Sequence, residues 1–146
     1  MAKRTYESAS IRVFWDSDIC VHVGLCFNGL PEAFDREARP WVDVDGASAD
    51  AIAAQIEQCP SGALRYERLD GAPQEDTARP VSIMPMTNGP LYVRGSFTVA
   101  DRKGNEWQVG PRAALCRCGR SENAPFCDTS HREAKFRSAP RAPVDE

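Results

Sequence analysis

The stretch Cys116-Arg117-Cys118-Gly119-Arg120-Ser121-Glu122-Asn123-Ala124-Pro125-Phe126-Cys127-Asp128-Thr129-Ser130-His131 decides the reading of this chain. It packs three thiols and an imidazole into sixteen residues. Thiolates suit iron–sulfur clusters and zinc, and imidazole suits both. A Cys-x-Cys pair can hold one metal only if the short peptide between the sulfurs wraps tightly around it. Gly119, Ser121, Asn123 and Pro125 supply a loop able to curl in that way. Asp128 is placed to N-cap a short helix, which puts His131 in its first turn with the ring turned back toward Cys127. Structural zinc is the competitor, because three Cys and one His are a regular zinc set. Typical zinc spacing is C-x₂₋₄-C followed by a second pair, which a Cys-x-Cys start and an eight-residue gap fit poorly.

The same run resembles the CDGSH iron–sulfur family, whose pattern is C-x-C-x₂-[ST]-x₃-P-x-C-D-G-[STA]-H. Cys116, Cys118, Ser121, Pro125, Cys127, Asp128, Ser130 and His131 match it. Thr129 stands where the family usually has Gly, and a β-branched residue is strained there if the position needs φ > 0. The likeness runs upstream through Asn88-Gly89-Pro90 and Val93. It implies a β-rich domain over residues 81–138 with a [2Fe–2S] cluster on Cys116, Cys118, Cys127 and His131. It also implies pairing as a homodimer, as members with a single such motif often do.

The other three cysteines lie in the first half: Cys20, Cys26 and Cys59. Ferredoxin clusters use C-x₂-C-x₂-C, with a Cys-Pro that can be remote. Cys20 and Cys26 match the first and third positions, Val23 occupies the second, and Cys59-Pro60 supplies the remote element. Such a set suits a [3Fe–4S] cluster, or a [4Fe–4S] cluster whose fourth iron has another ligand. His22 is near but one residue out of register, and a loop histidine bonded to backbone is its better reading. The segment Asp16–Tyr66 is similar to the divergent 4Fe–4S mono-cluster ferredoxins, through Cys20-Val21-His22-Val23-Gly24-Leu25-Cys26, Gly29-Leu30-Pro31, Arg39-Pro40-Trp41 and Cys59-Pro60-Ser61-Gly62-Ala63-Leu64. The fold implied is α+β: a ferredoxin-like unit over 8–69, then the β-rich unit.

Around these motifs the pattern predicts strands over 11–15, 41–44 and 63–69. It predicts a helical turn over 30–34 and a helix over 49–58 capped by Ser48. Ile52, Ile56 and Cys59 fall on one face of that helix. Residues 70–80 are rich in turn formers and read as a linker. Beyond them, strands are expected over 80–84 and 91–99, with Gly95 as a bulge, and a hairpin turn over 101–105 leads into 106–109. Units of this size rarely hold together on a hydrophobic core alone, so a cluster in each would supply a cross-link.

Composition sets the remaining bounds. Residues 1–75 carry 7 Lys+Arg against 13 Asp+Glu, and residues 76–146 carry 11 against 8. The net charge of −3 and the absence of a long basic run argue against nucleic acid as the partner. No apolar run long enough for a membrane span and no secretory h-region occur, so a cytoplasmic protein with reduced thiols is expected. Trp15, Trp41 and Trp107 read as core aromatics, and Met84 and Met86 as gap fillers. Arg112, Arg117, Arg120, Arg132, Lys135 and Arg137 are either an ordinary surface or a docking face for an acidic redox partner. With no nucleophile–base pair and no nucleotide loop, the expectation is an electron carrier and not an enzyme. A donor or redox sensor that releases the [2Fe–2S] cluster from the His131 side is the second reading, and a structural zinc module the third.

Overall fold

The computed structural model describes residues 3–144. Its first half is a three-stranded antiparallel sheet, β1 (Lys3–Glu7), β2 (Ile11–Asp16) and β3 (Leu64–Arg68), with β2 in the centre. β2 earns that place by its side chains. Ile11 and Val13 are fully buried and, with Leu64 of β3, face a helix. That helix is α2 (Ala49–Ile56), whose Ile52 and Ile56 are also fully buried. Ser48 caps it, its hydroxyl accepting from the Ala51 amide at 3.1 Å. Phe34 and Val42 complete the core, joined to each other by a single β-bridge.

Several local expectations shift. Residues 41–44 give that one bridge at Val42 and not a strand. The helical turn expected over 30–34 is an ordinary turn, and the helix forms one step earlier as α1 (Leu25–Gly29), carrying Cys26. Gly24 precedes it at φ +78, the left-handed entry a glycine accepts freely. α2 ends at Ile56 and not at residue 58. β1, outside every sequence expectation, pairs along the free edge of β2 from Lys3↔Asp16 to Glu7↔Arg12.

The second half is a three-stranded antiparallel sheet of β4 (Ser82–Pro85), β5 (Leu91–Arg94) and β8 (Arg112–Leu115), with a small hairpin of β6 (Val99–Ala100) and β7 (Glu106–Trp107). The strand expected over 91–99 stops at Gly95, which turns at φ +117. A Cβ there would stand 2.6 Å from the Pro80 carbonyl oxygen, so only glycine fits. α3 (Ser130–Glu133) closes the site. Trp107 and Met84 are not core: they are 40 % and 55 % exposed. Among the described residues no helix is long and apolar enough to cross a membrane.

The two halves meet along a polar and apolar seam. The buried Arg112 side chain forks onto Glu75, with Nε and Nη2 each 3.0 Å from a carboxylate oxygen. Its Nη1 donates to the Cys59 carbonyl at 2.6 Å, and Nη2 also to the Leu64 carbonyl at 2.9 Å. Arg94 donates to the Glu57 carbonyl at 2.9 Å. Residues 70–80 therefore contribute Glu75 to a buried ion pair. A charge taken out of water is tolerated when it is paired and hydrogen-bonded like this.

Candidate iron–sulfur sites

The C-terminal site grows from the end of β8. The chain leaves the sheet at Cys116, loops out, and returns: the Cys116 amide donates to the Pro125 carbonyl at 2.8 Å, and the Cys127 amide to the Ala114 carbonyl at 2.9 Å. Ser121 organises the curl, donating to the Phe126 carbonyl at 2.6 Å and accepting from the Asn123 amide at 3.0 Å. Asp128 accepts from the Glu122 amide at 2.9 Å and the Ser130 amide at 3.0 Å. It thus steers the chain into α3 one residue earlier than a cap, since the cap position is Thr129. Thr129 adopts φ +72, the left-handed backbone that a β-branched residue resists.

This frame sets the donors in two pairs. The Cys116 and Cys118 sulfurs are 3.8 Å apart, and the Cys127 sulfur is 3.6 Å from His131 Nδ1. Two thiolates on one tetrahedral metal with bonds of about 2.3 Å stand about 3.8 Å apart, and a thiolate and an imidazole about 3.6 Å. Each pair thus has the spacing of two ligands on one metal. Among the described residues no three His, Cys, Asp or Glu side chains gather as a group for a single ion. The other ring nitrogen, Nε2, faces Gly89.

Backbone amides surround the sulfurs. Arg120 donates to Cys118 Sγ and Thr129 to Cys127 Sγ, each at 3.4 Å. Burial pushes the Cys116 thiol up, but amides of Ser121, Gly119 and Arg120 and the Cys118 side chain outweigh it, and its pKa is lowered. Burial raises that of Cys127 and lowers that of His131. Arg117, between the two cysteines, points inward: it donates to Gly89 O (2.9 Å), Met86 O (2.8 Å) and Ser138 Oγ (2.7 Å). Arg112 and Arg117 therefore serve the interior and leave the group of six basic residues considered for docking.

In the N-terminal half Cys20, Cys26 and Cys59 line one small cavity with Trp15, Val21 and Pro60. Cys20 follows a 3₁₀ turn at Ser17–Ile19, Cys26 sits in α1, and Cys59 follows α2. Burial pushes the Cys20 thiol up to about 11 and raises Cys26 as well. Val23, at the second ligand position, is 43 % exposed. His22 has its Nδ1 3.6 Å from the Cys20 sulfur, which also accepts the His22 amide at 3.3 Å. Sequence reading set this histidine on backbone; the structure sets its ring on a sulfur.

The donor sets and their spacing fit iron–sulfur clusters, and comparison with known proteins agrees. Residues 6–69 match the profile of the divergent 4Fe-4S mono-cluster, and residues 88–132 that of the iron-binding zinc finger of CDGSH type. The chain belongs to the divergent 4Fe-4S mono-cluster family. It carries a CDGSH domain behind the ferredoxin-like one. The uncharacterized protein YjdI of Escherichia coli K12 is 35 % identical over 63 residues, 43 % of this mono-cluster protein and 83 % of YjdI. The YjdI of Escherichia coli O157:H7 gives the same figures. The mono-cluster–CDGSH chain is thus an iron–sulfur protein, its CDGSH domain implying a [2Fe–2S] cluster and its first domain a 4Fe–4S-type cluster.

The residues that sequence reading missed are those of the seam and its supports. Arg112, Glu75 and Arg117 are charged residues in stretches that look like surface or linker, and no spacing marks them. Gly62 carried a signal, lying in the Cys59-Pro60-Ser61-Gly62-Ala63 run. Its φ is +76, and a Cβ would stand 2.4 Å from the Arg112 carbonyl oxygen.

Proposed function

We propose that the protein is a cytoplasmic electron carrier with two clusters and no catalytic activity of its own. The [2Fe–2S] cluster would be held by Cys116, Cys118, Cys127 and His131, and the second by Cys20, Cys26 and Cys59. The observation that carries the reading is the pairing of donors: Cys116 with Cys118 at 3.8 Å, and Cys127 with His131 at 3.6 Å. A bound iron–sulfur cluster supplies reversible one-electron storage.

The chain's own residues would tune and shield that storage. Amides on the sulfurs favour added negative charge, and hydrogen bonds to sulfur are among the terms that set a cluster's potential. His131 replaces an anionic thiolate by a neutral imidazole, which raises the potential further. Around the other site Trp15, Val21 and Leu64 supply apolar lining. With Val23 in the second ligand position, the N-terminal site offers three thiolates, the set of a [3Fe–4S] cluster. His22 then serves Cys20 as a hydrogen-bond partner. Its Nδ1 stands 3.6 Å from the Cys20 sulfur, the same separation as between Cys127 and His131, so His22 is the first candidate for a fourth ligand if the cluster holds four irons.

A redox partner protein is the expected client. Voltammetry on the intact protein tests the reading: both clusters should reduce and reoxidise with their visible spectra retained. A second reading, cluster donation, is favoured by the partial exposure of His131. Passage of the [2Fe–2S] cluster to an apo-acceptor, with bleaching of the donor, would favour it over electron transfer.

A further inference from the structure

Val21 has two roles in one side chain. It lines the cavity around Cys20, Cys26 and Cys59. It is also 97 % buried in a cluster with Ala114 and Cys127, against which Tyr92 packs. The same short segment is pinned from the other half at two more points. Asn123 Nδ2 donates to the Asp18 carbonyl at 3.1 Å, and Arg132 Nη2 to the Val21 carbonyl at 3.2 Å. Both donors lie in or beside the loop that carries the C-terminal ligands.

Arg112 closes a second connection. It stands four residues before Cys116 on β8, and its Nη1 holds the carbonyl of Cys59 itself. Tyr92, half-buried, packs against the cluster of Val21, Ala114 and Cys127. Cys20 is thus linked to Cys127 through its neighbour Val21, and the Cys59 backbone is tied through Arg112 to the start of the strand that leads into Cys116. Neither link depends on a flexible arm, because Val21 is dry and Arg112 is held by Glu75.

We propose that Val21 and Arg112 are positioning residues that make the two cysteine sites one electronic unit, so that an electron taken up at one site passes to the other inside the chain. This rests on the two-cluster reading above. In the transfer one site loses one electron and the other gains it. No bond forms or breaks, and no co-reactant is needed once a one-electron reductant has charged the chain. Tunnelling falls steeply with distance, and Val21 reaches both sites, lining the first cavity and packing with Cys127. The seam also explains why two small units share so many buried polar contacts across a stretch that could have been a plain linker.

The test is electron paramagnetic resonance on the intact protein reduced fully with dithionite. The spectrum is compared with the sum of those from Cys118→Ser and Cys26→Ser, which silence one site each. The unsubstituted protein, poised where only one site is reduced, gives the same comparison without any substitution. The expected result is splitting or broadening in the fully reduced protein that is lost when either site is silent. Arg112→Lys keeps the charge but cannot span Glu75 and two carbonyls at once, so it should smear that splitting. A fully reduced spectrum equal to the sum overturns the proposal. A splitting unaltered in Arg112→Lys removes Arg112 from it. Uptake of a single cluster also overturns it while leaving the iron–sulfur assignment intact, and absence of any cluster signal overturns the reading on which it rests.

Discussion

Arg112 Nη1 donates to the carbonyl oxygen of Cys59 at 2.6 Å, across 53 residues of sequence. A residue of the second sheet thereby fixes the backbone of a candidate ligand in the first domain. The same guanidinium is neutralised by Glu75, and the Arg112 side chain is 1 % exposed and that of Glu75 8 %. Both domains thus depend on one charge pair that neither contains alone.

Glu75→Ala should destabilise the protein by about 3–5 kcal/mol, because it leaves the Arg112 charge buried and unpaired. Urea unfolding of the two proteins, followed by far-UV circular dichroism, measures the difference. A loss no larger than a surface pair gives, under about 1 kcal/mol, would show that the pair is solvated.

Gly62→Ala should be as damaging for a different reason. The new Cβ would sit 2.4 Å from the Arg112 carbonyl oxygen on a backbone at φ +76. Backbone faces the added atom, so the seam must open or the Cys59–Ala63 turn must shift. A drop of roughly 2 kcal/mol or more is expected, with loss of the N-terminal cluster signal before the C-terminal one. A melting curve and cluster spectrum like the parent's would contradict the close approach.

The reach of sequence reading follows from where the chemistry is local. The C-terminal ligands were legible because the loop is closed by its own residues, Ser121, Pro125 and Asp128, at fixed offsets from the cysteines. The strands with alternating or β-branched patterns, β2, β3 and β5, were legible too. β8 was not: Arg112-Ala113-Ala114-Leu115 has weak strand propensity and is a strand because β5 and the returning Phe126 lie on either side of it. β1 escaped because an edge strand needs no buried face of its own. The helix at Cys26 escaped because five residues carry too little periodicity. The seam was out of reach, since nothing in the local sequence distinguishes a buried Arg112 from a surface one.

Thr129→Gly should stabilise the C-terminal loop. Thr129 sits at φ +72, where an L-residue costs roughly 1–2 kcal/mol. Part of that gain is returned through the more flexible unfolded chain, leaving up to about 1 kcal/mol. Slower bleaching of the [2Fe–2S] absorbance under a chelator checks this. Faster bleaching would mean that Thr129 makes a compensating contact.

Val23→Cys supplies the thiol absent from the second ligand position. The oxidised N-terminal cluster should change from a paramagnetic three-iron species to a diamagnetic four-iron one. The oxidised EPR signal reports it, falling in the variant. If the parent protein already has a diamagnetic oxidised cluster, a non-cysteine fourth ligand is required.

Iron and acid-labile sulfide per chain, on anaerobically purified protein, test the central claim most directly. The account predicts about five or six irons, two at the site of Cys116, Cys118, Cys127 and His131 and the rest at Cys20, Cys26 and Cys59, with matching sulfide. Stoichiometric zinc with no labile sulfide would contradict it.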